Sequence, residues 1–330
     1  MTNKKMYLID DLYGENIKQA PTRDGYGNGL VALGEADRNV VVLCADLTDS
    51  TRSKYFADKF PDRFIEIGVA EQNMVTVASG LAAVGKIPFV ASYATFCPGR
   101  CWEQIRTTIC YNDRNVKIAG AHAGISVGPD GATHQALEDI ALMRALPNMV
   151  VVVPCDANEA KKATIAVGKI KKPAYVRFTR EKTPLFTTEK TPFQLGKAEV
   201  YRDGKDVTII ACGSLVYQAL LAAKELEKDG VEATVINCHT IKPLDGKTIM
   251  KAVRQTGAVV TVEEHQITGG LGGAVAEYLS ENYPVPLKRV GVQDRFGESG
   301  APDELLKKFG LTYTDIMESV KNALRLKNER

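Results

Sequence analysis

Gly120-Ala-His122-Ala-Gly-Ile-Ser-Val-Gly-Pro-Asp130-Gly-Ala-Thr-His134-Gln135-Ala136 is the stretch that decides how this chain is read. The chain has four histidines, and two of them flank this loop of glycines with one proline and one aspartate. The preceding Asn115-Val-Lys-Ile-Ala-Gly reads as a short strand. The His134-Gln135 pair reads as the opening of an apolar helix, Ala136-Leu-Glu-Asp-Ile-Ala-Leu-Met. Strand, glycine-rich loop and helix in that order place both histidines at the carboxyl edge of a parallel sheet, where open α/β folds bind ligands. Glycine-rich strand-to-helix loops are common and a lone histidine is usually structural. Two histidines and an aspartate in one such loop point instead to a site.

Outward from this loop the pattern keeps alternating. Asn39 to Ala45 is an unbroken apolar run, hence a buried strand. A helix follows from Ala70, ending at Gly85. Ile87 to Tyr93 is a strand, Trp102 to Cys110 a helix, Met149 to Pro154 a strand, Glu159 to Val167 a helix and Ala174 to Phe178 a strand. Repeated units of this kind imply a mostly parallel sheet with helices on both faces. The polar stretch 181–195 carries two prolines and reads as a connection. A second α/β unit comes after it, with strands at Asp206–Cys212, Thr234–Cys238, Ala258–Val262 and Leu287–Val292. Ser214 is placed to cap the helix reaching Lys228, and Thr312 to Lys327 is an amphipathic helix. Thr268-Gly-Gly-Leu-Gly-Gly resembles a phosphate cradle ahead of a helix. No Gly-Lys-Ser/Thr follows and the spacing fits no dinucleotide fingerprint, so close helix–sheet packing is the expected use. The fold expected is α/β with two doubly wound domains: a 1–21 extension, a 22–183 domain, a 184–195 linker and a 196–330 domain.

Composition narrows the function classes. At 330 residues with 45% hydrophobic and 25% charged content, two ordinary globular domains are expected. A net charge of +2 gives no reason to expect nucleic acid or an anionic membrane as partner. No apolar run reaches the roughly 18 residues that span a bilayer, and the first residues lack the apolar core of a secretory signal. The seven cysteines lie mostly in apolar runs, as reduced core residues of a cytoplasmic protein do. Cys97 and Cys101 lack the second ligand pair that a zinc site needs.

Three further constellations carry chemistry. In Ile65-Glu-Ile-Gly-Val-Ala-Glu71-Gln-Asn, a strand ends and a helix starts, so Glu71 falls in a first turn where the positive helix end favours a carboxylate. Simple capping would explain that placement as well. Phe89-Val-Ala-Ser-Tyr93-Ala-Thr-Phe96-Cys-Pro-Gly-Arg100-Cys-Trp102 gathers Tyr93, Phe96 and Trp102 around a Pro-Gly turn, able to stack on a planar ring. Arg23 ahead of the first helix, Ser50 in Ala45-Asp46-Leu-Thr-Asp-Ser50, and Arg180 after a strand would make a phosphate clamp with His122 if the fold gathers them.

Asp-Gly-x-Thr-His-Gln at 130–135, together with Gly-Val-Ala-Glu-Gln at 68–72, resembles the pyrimidine-binding and C-terminal domains of transketolase, and 1-deoxyxylulose phosphate synthase shares the combination. The resemblance runs from Arg23 onward. It implies a thiamine-diphosphate enzyme in which Glu71 exchanges a proton with the aminopyrimidine. It also implies that Phe96 belongs to the pyrimidine pocket, that one of Tyr93, Phe96 and Trp102 stacks on that ring, and that Asp46 lies near the cofactor. Asp130 and His134 then read substrate hydroxyls, while His122, Arg180, Arg23 and Ser50 hold the acceptor's phosphate. All four of those residue types are retained, which argues for sugar phosphates, and the resemblance brings with it the pentose phosphate pathway as the expected setting.

The family's Gly-Asp-Gly motif, which binds diphosphate and magnesium, is absent from this sequence. No residue here is assigned to Mg2+, whose hard oxygen ligands would come from another chain. The expectation is the C-terminal subunit of a split transketolase. It would be active only with an N-terminal partner subunit, in a two-plus-two heterotetramer. Competing readings are the β subunit of a thiamine-dependent 2-oxoacid dehydrogenase, which differs at the Asp130–His134 loop, and a deoxyxylulose phosphate type synthase, which carries its domains in one chain. A non-catalytic regulatory subunit would not need Glu71, Asp130 and His134. A transketolase for an unusual branched or unphosphorylated sugar would not need Arg180. His265, in Val262-Glu-Glu-His, reads as structural.

Overall fold

The computed structural model describes residues 1–329. Its strands in chain order are β1 (Gln19–Pro21), β2 (Val40–Cys44), β3 (Phe64–Glu66), β4 (Ile87–Tyr93), β5 (Lys117–Ala121), β6 (Val150–Val152) and β7 (Ala174–Arg177). They continue with β8 (Lys182–Pro184), β9 (Glu199–Arg202), β10 (Val207–Ala211), β11 (Ala233–Asn237), β12 (Thr240–Lys242), β13 (Val259–Gln266) and β14 (Leu287–Val292). A seven-stranded sheet has the order β12-β6-β7-β5-β4-β2-β3, and a five-stranded sheet the order β14-β13-β10-β11-β9. Both are parallel except for their edge strands β12 and β9. The interior strands β2, β5, β10 and β11 are buried along their whole length, as expected where helices cover both faces. The architecture is therefore the expected α/β pair of doubly wound sheets.

The two halves are joined more closely than a linker between separate domains would require. β12, from the second half of the chain, adds antiparallel to β6 of the first sheet. β1, expected to lie in an extension, pairs with β8 at the start of the connection. The apolar core is continuous, with Val151 and Val153 of the first half in one cluster with Ile210 and Ile236 of the second. The connection itself is fixed. Asp156 caps the helix Ala157–Lys169 through the Glu159 amide and accepts bonds from the Phe186 and Thr187 amides at 3.0 and 2.7 Å. Phe193 stacks on His239, ring centroids 4.2 Å apart.

Several local expectations are corrected. The helix expected from Ala136 begins at Asp139. The Ala136 carbonyl is held by the Gly124 amide (2.9 Å) and by Arg177 (3.2 Å), which draws the backbone out of the helical path. Arg23 lies inside the first turn of the helix Thr22–Ala36, which starts directly after Pro21. Ser214 does not cap its helix; its hydroxyl donates to Glu264 at 3.2 Å instead. The helix from Trp102 continues as a π-helix over Ile105–Cys110. The glycine run does precede a helix, Leu271–Asn282, but the Glu263 carboxylate occupies its start, accepting the Leu271 and Gly272 amides at 2.7 and 2.8 Å. A protein carboxylate thus satisfies the helix end that an anion would. His265 is buried, with Nδ1 against the Gln266 carbonyl and Nε2 accepting from the Ala141 amide. Among the described residues no helix is long and apolar enough to cross a membrane.

The tie that positions the site loop is a buried ion pair. Arg177 Nε donates to Asp139 Oδ2 at 2.8 Å, Tyr175 donates to the same oxygen at 2.6 Å, and Arg177 Nη2 also reaches the Glu264 carbonyl at 2.9 Å. Burial pushes the Asp139 carboxyl up, but Arg177 outweighs it and holds it below the ordinary carboxylate range. Asp139→Asn would leave the guanidinium buried without its counter-charge, and should cost about 3–5 kcal/mol in the urea unfolding free energy. A loss below about 1 kcal/mol would show that the pair is not desolvated.

Burial lowers His239 from its ordinary 6.5 to about 3. Between those values only the unfolded chain takes up the proton. The neutral ring's contribution is therefore full above pH 6.5 and is lost as pH falls toward 3. His239→Phe keeps the stack on Phe193 and removes this titration. On going from pH 6 to pH 4, the wild-type chain should lose about 1.4 kcal/mol per pH unit more stability than the variant, as read by denaturant unfolding at each pH.

Candidate active site

The site residues stand on loops that leave the carboxyl ends of neighbouring strands. Asp46 and Ser50 follow β2, Glu71 follows β3, Tyr93 and Phe96 end β4, His122 to His134 follow β5, and Arg180 follows β7. The chain order reverses between β2 and β4, which makes this edge a topological switch point, the expected ligand crevice.

On one side lies Glu71, the first residue of the helix Glu71–Ala83 and only 2% exposed. Arg100 Nη1 donates to its Oε2 at 2.9 Å, and the same guanidinium lies over the Phe96 ring, 4.8 Å from the centroid. A planar, N–H-bearing group thus already rests on Phe96 while bonding to Glu71. An aminopyrimidine ring is likewise flat and can share a hydrogen bond with a carboxyl group, so this pair of residues fits it. Arg100 appeared in the sequence as part of a Pro-Gly turn, with nothing local to link it to a glutamate twenty-nine residues earlier. Tyr93 stacks near Phe96 (5.9 Å, 19°). Trp102, expected as a third stacking candidate, is engaged elsewhere: its indole donates to the Leu142 carbonyl at 3.0 Å and its ring packs on the core.

On the other side lies a cationic cluster. His122 is buried, in a left-handed conformation (φ 53°), with its ring 4.0 Å from Tyr93. Arg23 Nη1 reaches His122 Nε2 at 3.2 Å and the Ser50 carbonyl at 2.8 Å. Ser50 therefore contributes its backbone oxygen to the cluster, where the sequence suggested its hydroxyl. Arginine can only donate, so Nε2 accepts and the proton of His122 sits on Nδ1. Burial foremost, then Arg23 and Arg180, lower His122 to about 3 and keep it neutral. Neither His122 Nδ1 nor Arg23 Nε has a hydrogen-bond partner, although both atoms are buried. Two orphaned donors in one cluster fit the oxygens of an anion. Burial, then Arg52, lower the Arg23 pKa.

Arg52, absent from the sequence reading, is neutralised by Asp24 at 2.7 Å. Arg180 donates to the Val127 carbonyl at 2.8 Å and lies 3.5 Å from Asp130. His134 closes the cluster, its ring edge-on to Phe96 at 5.4 Å and its Nδ1 2.9 Å from the Thr133 hydroxyl.

Asp46 stands at the rim, exposed and left-handed (φ 57°). Its amide donates to Glu66 Oε1 at 2.8 Å, an oxygen that also takes the Gly68 amide at 2.9 Å. Glu66, another residue the sequence did not single out, thereby ties the Asp46 loop to the strand leading to Glu71. All seven cysteines are buried free thiols. Among the described residues no group of three or more His, Cys, Asp or Glu is gathered to hold a metal ion.

Comparison with known proteins gives the family of the chain. Residues 18–184 match the transketolase pyrimidine binding domain and residues 196–316 the transketolase C-terminal domain. A putative transketolase C-terminal section from Methanocaldococcus jannaschii is 46% identical over 306 residues, covering 92% of this chain and 96% of that protein. A 6-deoxy-6-sulfo-D-fructose transketolase subunit from a Clostridium species is 43% identical over 308 residues, covering 93% of this chain and 96% of that protein. A solved structure described as a split gene transketolase, inactive beta4 tetramer, shares a TM-score of 0.88 and 49% identity over 93% of this chain and 99% of that one. With both domain types present in order and relatives of matching length, this chain belongs to the transketolase family.

Proposed function

We propose that this chain is the C-terminal subunit of a split, thiamine-diphosphate-dependent transketolase. Assembled with an N-terminal subunit, it moves a two-carbon ketol unit from a ketose phosphate to an aldose phosphate. The observation that carries this reading is the arrangement around Tyr93: a buried carboxylate and Phe96 on one side, two orphaned cationic-cluster donors on the other. The division into subunits is supported by the likeness to a transketolase C-terminal section and to the split-gene structure. The diphosphate and Mg2+ are assigned to the partner subunit, and two copies of each chain form the working heterotetramer.

When bound, thiamine diphosphate supplies the carbon nucleophile that attacks the ketose carbonyl. Glu71, only 2% exposed, would hold and exchange a proton against the pyrimidine ring to prepare that nucleophile, and Phe96 would support the ring face. Asp46 lines the cofactor rim. Asp130 accepts from substrate hydroxyls. His134, with Nδ1 engaged by Thr133, offers Nε2 to the hydroxyl that loses or gains a proton. Arg23, His122 and Arg180 hold the terminal anion and so set substrate length and charge.

Mixing the purified chain with its N-terminal partner, thiamine diphosphate and magnesium should give ketol transfer from xylulose 5-phosphate to ribose 5-phosphate, and neither subunit alone should turn over. In that complex Glu71→Gln should lower kcat by about 100-fold or more without lowering the melting temperature. An unchanged rate would remove Glu71 from cofactor activation. Arg180→Ala should raise the acceptor's KM well beyond its effect on kcat, and equal parameters would point to an uncharged acceptor. The Clostridium relative is named for a sulfonated ketose, and the orphaned donors fit a sulfonate as well as a phosphate. Comparing kcat/KM for the ketose sulfonate and the ketose phosphate decides between these donors.

A further inference from the structure

The loop carrying Asp130 and His134 holds one 3-10 segment, Ile125–Asp130, kinked at Gly128, and His122, Gly124, Gly128 and Gly131 all have positive φ, between 53° and 95°. Arg177 and Arg180 hold it from the first half of the chain through the Ala136 and Val127 carbonyls, and further support comes from the second half. Gln135, 4% exposed, donates from Nε2 to the Ile125 and Gly128 carbonyls within the loop, at 3.1 and 3.4 Å. The same nitrogen donates to the Glu298 carbonyl at 2.9 Å, across to the C-terminal domain. Gly297 lies so close that a Cβ there would stand 1.8 Å from Gln135 Oε1, and one on Gly131 would meet Ser299 Oγ at 2.6 Å. At the loop's other end the Ser126 amide donates to Glu264 Oε1 at 2.7 Å. Helix Pro302–Lys308 packs on the same loop.

We propose that the C-terminal domain is a positioning element for catalysis: its segment 297–299, acting through Gln135, sets where Asp130 and His134 stand relative to Glu71 and Phe96. This rests on the reading of Asp130 and His134 as substrate contacts. Gln135 is a positioning residue here and touches no reacting atom. Its amide joins the loop to segment 297–299 of the other domain. Removing its two N–H donors takes a bond from the Ile125 and Glu298 carbonyls, while the Gly128 carbonyl keeps the Gly131 amide at 3.1 Å, and the loop then samples several placements of His134. Such a change weakens substrate binding geometry while leaving Glu71, on a different strand end, as it was.

The test uses the complex assembled with the N-terminal subunit and compares Gln135→Met, Gly297→Ala and His134→Ala with wild type. Gln135→Met keeps side-chain length without the donors. It should raise the donor-sugar KM about tenfold and lower kcat with it, because His134 is displaced, while thiamine diphosphate affinity and melting temperature hold. Hydrogen–deuterium exchange should quicken over 125–134 alone. Gly297→Ala perturbs the clamp from the C-terminal side with Gln135 intact, and should show the same pattern if Gln135→Met does not fold. Unchanged KM and exchange in the variant that folds, with His134→Ala impaired, would overturn the positioning role and leave the substrate reading standing. An unimpaired His134→Ala would instead remove the substrate reading. Loss of cofactor affinity and melting temperature together would make Gln135 merely structural, which also overturns the proposal.

Discussion

A guanidinium with no access to water is tolerated only when its charge and its donors are matched, and Arg177 meets that condition through four different parts of the chain. Its partners are Asp139 at a helix start, the Ala136 carbonyl at the exit of the site loop and the Glu264 carbonyl on β13, while its own backbone sits in β7. A desolvated pair of this kind adds little net stability over a well-packed apolar substitute, but it is very costly to break. It therefore acts as a specification. The two sheets, the loop and the helix can pack only in the arrangement that satisfies Arg177, and the delayed start of the helix at Asp139 is the local trace of that demand.

Given that frame, the electrostatics of the crevice follow from which cations are matched. Arg52 has Asp24, and Arg180 has Asp130 and Glu181 within 3.5 and 3.8 Å. Arg23 has only neutral acceptors, the Ser50 carbonyl and His122. Placing a neutral histidine beside it avoids a second buried charge and leaves a single uncompensated cation where an anion can bind. Glu71 and Arg100 form a separate pair on the far side of Tyr93 and Phe96. The aromatic rings thus divide a carboxylate pocket, suited to a cofactor ring, from a cationic pocket suited to a sugar's anionic end.

The second half of the chain, which offers no chemistry of its own to the crevice, acquires a purpose from the same contacts. Its glycine run is closed by Glu263 and its histidine is buried between backbone groups. Its carboxylate at Glu264 and its segment 297–299 reach across to the site loop. The domain thereby forms a wall against which the site loop is held.

The sequence by itself determined the elements and the chemical inventory. Unbroken apolar runs such as Val40 to Cys44 admit little besides a buried strand, and a carboxylate after a strand and before an apolar helix must fall in a first turn, as Glu71 does. Alternation of strand and helix then forces a parallel sheet, and with it the edge at which Asp46, Tyr93, Phe96, His122, Asp130, His134 and Arg180 emerge. Tertiary structure alone decided which of these side chains meet. The Arg100–Glu71 pair, the Gln135–Glu298 bond, the addition of β12 to the first sheet and the diversion of Trp102 to the Leu142 carbonyl all join distant segments. The physical reason is that hydrophobic periodicity is a local property, written within one or two turns of chain. The partner of a buried polar group is instead set by the simultaneous requirement that every such group in the folded molecule be satisfied.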